Sequence, residues 1–308
     1  MRILLLGGNG FIGKNLAQNL SEKHELIIYD KYIDSAYFQK LHVAPENLFM
    51  DDIQKFNSYF KKKCKKIDVI VHLISSISPA SSMSDVISGY ENDLLQSLKI
   101  INEIRDKNIK MIFFSSGGTV YGDKTGLITE EMTPKPLNHY GIIKHTLENI
   151  LLMNNKVYGT NHIILRVSNP YGYNQLSKLN VGIIPIFAQK ILKNEKILIY
   201  GDGEIVRDFI FIEDLVTMFE LLINKFSTNY SIYNIGTGTG YSINQVIKIL
   251  SKEIGKKPFV GYMGNRNIDV KENVLDISRF KNEFSFSPEN SVEDGIKKYL
   301  EYIKNEVW

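Results

Sequence analysis

Tyr140 and Lys144 stand four positions apart in the segment HYGIIKHTLENIL, a spacing that suits proton transfer. A phenol, with an ordinary pKa of about 10, is a poor base at neutral pH, but an ammonium group one helical turn away favours its anion. A tyrosine so placed can take a proton from a hydroxyl. The Tyr-x-x-x-Lys pattern is common by itself: 17 tyrosines and 31 lysines in 308 residues produce it by chance, and Tyr59 with Lys63 is a second instance. Setting separates the two. Tyr140 opens an amphipathic stretch after a loop holding Pro134 and Pro136, so its side chain and that of Lys144 share one helix face, whereas Tyr59 lies in a lysine-rich run.

A second group of residues suits an anion. Gly7, Gly10 and Gly13 stand in GGNGFIG, directly after an apolar run at 2–6 and at the head of an amphipathic stretch. Glycines there let the backbone turn sharply and approach a pyrophosphate, while the helix N-terminus offers free N–H groups and partial positive charge. The implied ligand is a dinucleotide. Asp30 ends the next apolar run, where a carboxylate accepts hydrogen bonds from an adenosine ribose and repels a 2′-phosphate, so NAD is favoured over NADP. Opposite a positive nicotinamide ring, Tyr140 would remove the proton of a carbinol as its hydride leaves.

Both groups need a scaffold, and the sequence supplies the rhythm of one. Runs of strand length at 2–6, 25–29, 69–73 and 111–114 alternate with helical stretches at 13–21 and 93–105. The runs ILLL, LIIY, VIVHL and MIFF have no polar alternation, as expected of parallel strands covered on both faces. The fold class is therefore α/β, a doubly wound parallel (Rossmann-type) sheet. After Arg166 the rhythm loosens into a smaller, mixed α/β C-terminal part. Residues 169–173 read as a turn, 181–192 as a helix, 197–205 as a short strand with a bend, 208–212 and 230–235 as strands, and 244–254 and 292–302 as helices. The expected division is a dinucleotide-binding domain at 1–170, rejoined by about 205–238, and a substrate domain at 171–308.

Composition excludes several functions. Apolar residues make up 44% and charged ones 23%, which rules out a disordered or fibrous chain. A formal charge of +3, evenly spread, argues against a nucleic-acid partner, and the run Lys61, Lys62, Lys63, Lys65 and Lys66 around Cys64 reads as a solvated helix end. One cysteine cannot form an internal disulfide and lacks metal-ligand spacing, which fits a reducing cytoplasm and no structural metal. No apolar run is long enough for a signal-peptide core or a membrane span. His72, on a buried run, reads as a core side chain rather than an acid or base.

With these residues in view, the chain resembles the extended short-chain dehydrogenase/reductases, and within them the NAD-dependent nucleotide-sugar epimerases. The matching blocks run in order along nearly the whole chain: GGNGFIG, Tyr29-Asp30, Asp52-Ile53, VIVHL, FSSGGTVYG, YGIIK, LRVSNPYG, YGDGEIVRDFIFIED, YNIGTGTGYS, and Arg266 with Asp269. The resemblance implies that Phe11 and Ile12 join the glycines at the cofactor, that Asp52 and Ile53 contact the adenine, and that Leu73 and Ser115 line the cofactor. It places Asn92 in the catalytic group and Asn169 at the sugar or its diphosphate. It makes Arg207 and Arg266 diphosphate clamps, which suits the forked bonding of guanidinium groups, and sets Asp269 near the nucleotide ribose. It also implies a homodimer formed through the helices at 93–105 and 140–153.

Three departures from the family pattern narrow the reading. Gly117 stands where the family has a Ser or Thr hydroxyl that bonds the reacting sugar oxygen, with Thr119 the first substitute and Ser116 the second. Gly118 and Thr119 replace the Asp-Glu pair of the 4,6-dehydratases, which disfavours dehydration. Ile74, Ser75 and Ser76 replace the usual small alanines after VIVHL. The leading expectation is a UDP-hexose 4-epimerase with tightly held NAD. Two alternatives stay open: a nucleotide-sugar 4-ketoreductase, and an inactive dinucleotide-binding regulator. Asn273 aligns where galactose-restricted epimerases carry a bulky tyrosine in the loop after the Arg-Asp clamp, which leaves room for an N-acetyl group.

Overall fold

The computed structural model describes residues 1–56, 66–175, 182–225, 227–264, 266 and 270–307. Asp269, Tyr59, Cys64 and the basic run except Lys66 lie outside the described residues. Along the first half the elements are β1 (Arg2–Leu6), α1 (Phe11–Leu20), β2 (Glu25–Asp30), α2 (Ser35–Lys40), β3 (Leu48–Met50), β4 (Val69–His72), a π-helical turn (Gly89–Leu95) continued by α3 (Gln96–Ile104), and β5 (Lys110–Ser116). There follow β6 (Leu127–Ile128), α4 (His139–Tyr158), β7 (Ile163–Val167), β8 (Asn169–Tyr171), α5 (Ile183–Leu192), β9 (Lys196–Tyr200), β10 (Val206–Phe211) and α6 (Ile212–Asn224). The chain closes with β11 (Ile232–Ile235), β12 (Gly240–Ser242), α7 (Ile243–Ile254), β13 (Phe259–Met263), β14 (Glu272–Leu275), α8 (Ser278–Phe284) and α9 (Val292–Val307).

Seven strands form one sheet in the order β11-β7-β5-β4-β1-β2-β3, and β1 runs parallel to both β2 and β4. This is the doubly wound sheet expected from the unalternating apolar runs. Ile3, Leu4, Leu5, Ile70, Val71 and Ile112 are all fully buried, as strands sandwiched between helices must be. Order reverses beside β1, so the turns after β1 and β4 open at the carboxyl edge where such sheets hold ligands.

Chain compactness gives two units: 1–120 with 136–166 and 227–233, and 121–135 with 167–226 and 234–308. The division does not fall at residue 170. Of the stretch expected to rejoin the first unit, 205–238, only 227–233 does so. The second unit is mixed, with β10 antiparallel to β12 but parallel to β14 and β8, and β9 parallel to β13. Residues 169–171, expected as a turn, are strand β8, because Asn169 to Tyr171 pair with Phe209 to Phe211. No helix among the described residues is long and apolar enough to cross a membrane.

Candidate active site

The glycine turn joins β1 to α1. Gly7 has φ +82°, a left-handed conformation that costs glycine nothing, and a Cβ there would press within 3.1–3.2 Å of Leu73 and Ile74. Gly13 is tighter still: a Cβ would fall 2.5–2.6 Å from the Gly8 backbone. Close packing of helix on strand therefore depends on a hydrogen atom at position 13. Gly10 is the N-cap of α1 and gives no side-chain cap, and the first turn, with Phe11 and Ile12 half-buried, holds no acid. The N–H groups at this helix end are thus left for an outside anion.

Asp30 closes β2 beside this turn. Its Oδ2 accepts from the Asn9 N–H at 3.0 Å, and burial, opposed by backbone N–H bonds, raises its carboxyl pKa. Asp52 and Ile53 lie just past β3. The Asp52 carboxylate accepts from the Gln54 N–H at 3.0 Å and its carbonyl accepts from the Tyr29 hydroxyl at 2.8 Å. Leu73 follows β4, with its N–H bonded to the Leu6 carbonyl, which sets it against the glycine turn.

Tyr140 and Lys144 lie in the first turns of α4, whose N-cap Asn138 accepts from the Gly141 N–H at 2.8 Å. Gly141 lets this helix end meet the turn after β5: a Cβ would sit 2.8 Å from the Thr119 carbonyl oxygen and 2.9 Å from Pro136. Tyr140 is therefore held beside 116–119. Its hydroxyl makes no hydrogen bond among the described residues, and the Lys144 Nζ lies 5.6 Å from its ring centroid. Lys144 is 4% exposed, donates to the Phe114 carbonyl at 3.0 Å, and is pulled down to about 8 by burial, which Asp93 and then Glu148 oppose.

The hydroxyls around this pair differ in availability. Thr119 Oγ1 is buried and has no hydrogen-bond partner among the described residues, whereas Ser115 donates to Glu148 Oε1 at 2.5 Å. Ser115 was expected at the cofactor, but its hydroxyl turns away into a buried cluster in which Arg166 grips Glu148 at 2.7 Å. Ser116 is half-buried at the end of β5. His72 bonds Ser97 at 2.9 Å and is held neutral, with burial and then the Lys144 charge lowering its pKa to about 3, in keeping with a core side chain.

Two of the expected residues have settings the sequence does not show. Burial, then the Asp93 charge, raises the Tyr140 pKa above its ordinary value. Asn92, expected in the catalytic group, bonds Gln54 at 3.1 Å and Ser88 at 3.1 Å. The next residue, Asp93, is the buried group of that π-helical turn and acts electrostatically on both Tyr140 and Lys144. A π-helical turn rotates successive side chains away from the 3.6-residue spacing, so periodicity gave no sign of which residue faces inward.

In the second unit, adjacent strands gather three of the expected substrate residues. Asn169 on β8 donates to the Asp208 carbonyl at 2.9 Å. Arg207 on β10 pairs in register with Asn273 on β14, and its Nη1 donates to the Val206 and Val270 carbonyls at 2.8 and 2.9 Å. Asn273 stands in a strand rather than a loop and is 1% exposed, because β14 is clamped alongside β10. Arg266 is exposed and lies 4.3 Å from the Tyr200 ring centroid.

Comparison with known proteins gives a consistent picture. Residues 3–236 match the model of the NAD dependent epimerase/dehydratase family. A Methanocaldococcus jannaschii protein provisionally named as a UDP-glucose 4-epimerase is 33% identical over 98% of both chains. An Escherichia coli dTDP-4-dehydro-6-deoxyglucose reductase is 28% identical over 98% of this chain and 97% of its own. The crystal structure of Thermotoga maritima UDP-glucose 4-epimerase with UDP-glucose superimposes with a TM-score of 0.89, at 28% identity and full coverage of both chains.

Proposed function

Since the chain belongs to the NAD dependent epimerase/dehydratase family, we propose that it is a nucleotide-sugar 4-epimerase that works with bound NAD on a UDP-hexose. The observation that carries this reading is Tyr140, whose hydroxyl makes no hydrogen bond among the described residues, one turn from Lys144 on a helix end that Gly141 packs against the Thr119 backbone.

The residues present fit the cofactor on two counts. The turn at Gly7, Gly10 and Gly13 packs so closely on Leu73, Ile74 and its own backbone that a Cβ at Gly7 or Gly13 would displace it, and α1 begins without a side-chain cap or an acid. Phe11 and Ile12 would flank the pyrophosphate and Asp30 would take the adenosine ribose. Asp52, Ile53 and Leu73 would line the adenine and the ring between them. Bound NAD supplies a positive ring that accepts hydride from the sugar C4 and returns it.

The chain's own residues then have distinct roles. Tyr140 Oη takes the C4 hydroxyl proton and later gives it back, while Thr119, with Ser116 second, orients that oxygen. Lys144 would hold the nicotinamide ribose, and its charge together with the positive ring of bound NAD would favour the phenolate that burial and Asp93 disfavour. Asn169, Arg207 and Arg266 would hold the nucleotide diphosphate so that the sugar can turn over between the two transfers, with Asp269 at the nucleotide ribose. On the same reading the protein is a homodimer, with Leu95, Ile142 and Met153 as exposed apolar surface on the helices concerned, which light scattering would test.

A second reading has one specific observation in its favour. A phenol held protonated is prepared to donate to a carbonyl oxygen, as a nucleotide-linked 4-keto-sugar reductase requires. Incubation with UDP-glucose and UDP-N-acetylglucosamine side by side, with products separated and the NAD carried by the purified protein measured, decides between them. Epimer formation without added cofactor supports the first reading. Protein free of NAD that oxidises added NADPH with a keto-sugar overturns it.

The turn has its own test. Gly13→Ala places a methyl against the Gly8 backbone, and an overpacking cost of about 1–3 kcal/mol borne by the turn that holds NAD weakens its binding about 5- to 150-fold. Calorimetric titration with NAD would measure it, and unchanged affinity would remove the cofactor from this turn.

A further inference from the structure

Ser75, one of the departures from the small alanines of the family, meets a partner in the fold. Its Oγ lies 2.9 Å from Asp93 Oδ2 and 2.8 Å from the Ile77 carbonyl, and the Ser76 N–H donates to Asp93 Oδ1 at 2.7 Å. An alanine at 75 could make no such bond. The π-helical turn bearing Asp93 closes on α4 through Gly89, where a Cβ would meet Ile77 at 2.4 Å and Ile143 at 3.1 Å. Ile143 lies between Tyr140 and Lys144.

Among the described residues of the first unit, four buried side chains carry formal charge: Asp93, Lys144, Glu148 and Arg166. Burying a charge is costly unless an opposite charge and hydrogen bonds meet it. Glu148 already has Arg166, whose Nε and Nη2 both donate to it. That leaves Asp93 and Lys144 to balance each other. We propose that Asp93, fixed by Ser75 and Ser76, is a positioning residue: the counter-charge that keeps Lys144 cationic and biases Tyr140 towards holding its proton.

The consequences follow from the groups that face the pair. On Tyr140 the charge of Asp93 acts in the same direction as burial. On Lys144, Asp93 and Glu148 oppose burial, while His72 on β4 is held neutral and adds no charge. Asp93→Asn would thus make the phenol easier to ionise and the ammonium easier to lose.

Two measurements test this, and the first is independent of any activity. In urea unfolding of NAD-loaded protein, Asp93→Asn and Lys144→Met each leave one buried charge unmatched, so the double variant should lose less stability than the two single losses added together. Strict additivity overturns the charge pairing. The second rests on the epimerase reading. The acid limb of the kcat/KM profile should move down by about one pH unit in Asp93→Asn, the order expected of a nearby carboxylate, and stay in place in Ser75→Ala, which keeps the charge. An unmoved limb in Asp93→Asn, or an equal shift in both variants, overturns the role assigned to the charge. If no nucleotide sugar turns over, the functional reading fails while the unfolding cycle still decides the pairing.

Discussion

Tyr140→Phe leaves a folded protein that binds NAD and lacks turnover, with kcat lower by about 10²–10⁴-fold, the range for removal of a general acid–base group. Two features of the site make this a clean test. The Tyr140 hydroxyl has no hydrogen bond among the described residues, so its removal leaves no buried partner unsatisfied there, and the ring stays packed against the core of the first unit. Steady-state rates with the best UDP-hexose, alongside thermal melting and NAD content, would measure it. A variant with full activity would remove Tyr140 from the chemistry.

The largest effect on stability is expected away from the reacting atoms. Glu148→Ala strands the Arg166 guanidinium, which is 3% exposed, and frees the Ser115 hydroxyl, at a cost of about 3–5 kcal/mol readable as a lowered urea midpoint. The double change Glu148→Met with Arg166→Met should lose less, because no charge is left buried alone. The pH dependence has a definite sign. Burial opposes ionisation of Glu148, but bonds from His145, Arg166 and Ser115 outweigh it and hold its carboxyl below the ordinary value. The cluster's contribution is therefore present above the unfolded carboxylate range and is lost as pH falls through the lower folded value. A wild-type midpoint no more acid-sensitive than that of the double Met variant would contradict this.

Much of the fold was legible because its signals are local. Unalternating runs such as Ile3 to Leu6 can be buried only between two layers, and three glycines after the first run leave few alternatives to a phosphate turn. The site was legible where residues are near in sequence, as for Tyr140 and Lys144 on one helix. It was hidden where long-range packing decides. Ser115 looks available until Glu148, a turn beyond Lys144 on α4, captures it. Asn92 and Asp93 are adjacent, and the π-helical turn, which no 3.6-residue pattern announces, selects the second for the interior. Likewise Asn273 follows a segment that reads as loop, and its pairing with Arg207 across β10 and β14 is what makes it strand. Charge state was the least visible property. Lys144 beside Tyr140 argues for an easily ionised phenol, and only the fold brings in burial and Asp93, which push the other way.

On this reading a proton leaves the C4 hydroxyl oxygen and a hydride leaves C4 of a tethered sugar, and each returns to the atom it left. The most direct measurement starts from UDP-glucose or UDP-N-acetylglucosamine carrying deuterium at C4, in ordinary water, and locates the label in the epimerised product by NMR. Deuterium is expected to be retained at C4 with inverted configuration. Replacement of the label by hydrogen, from solvent or from added reduced cofactor, would contradict it.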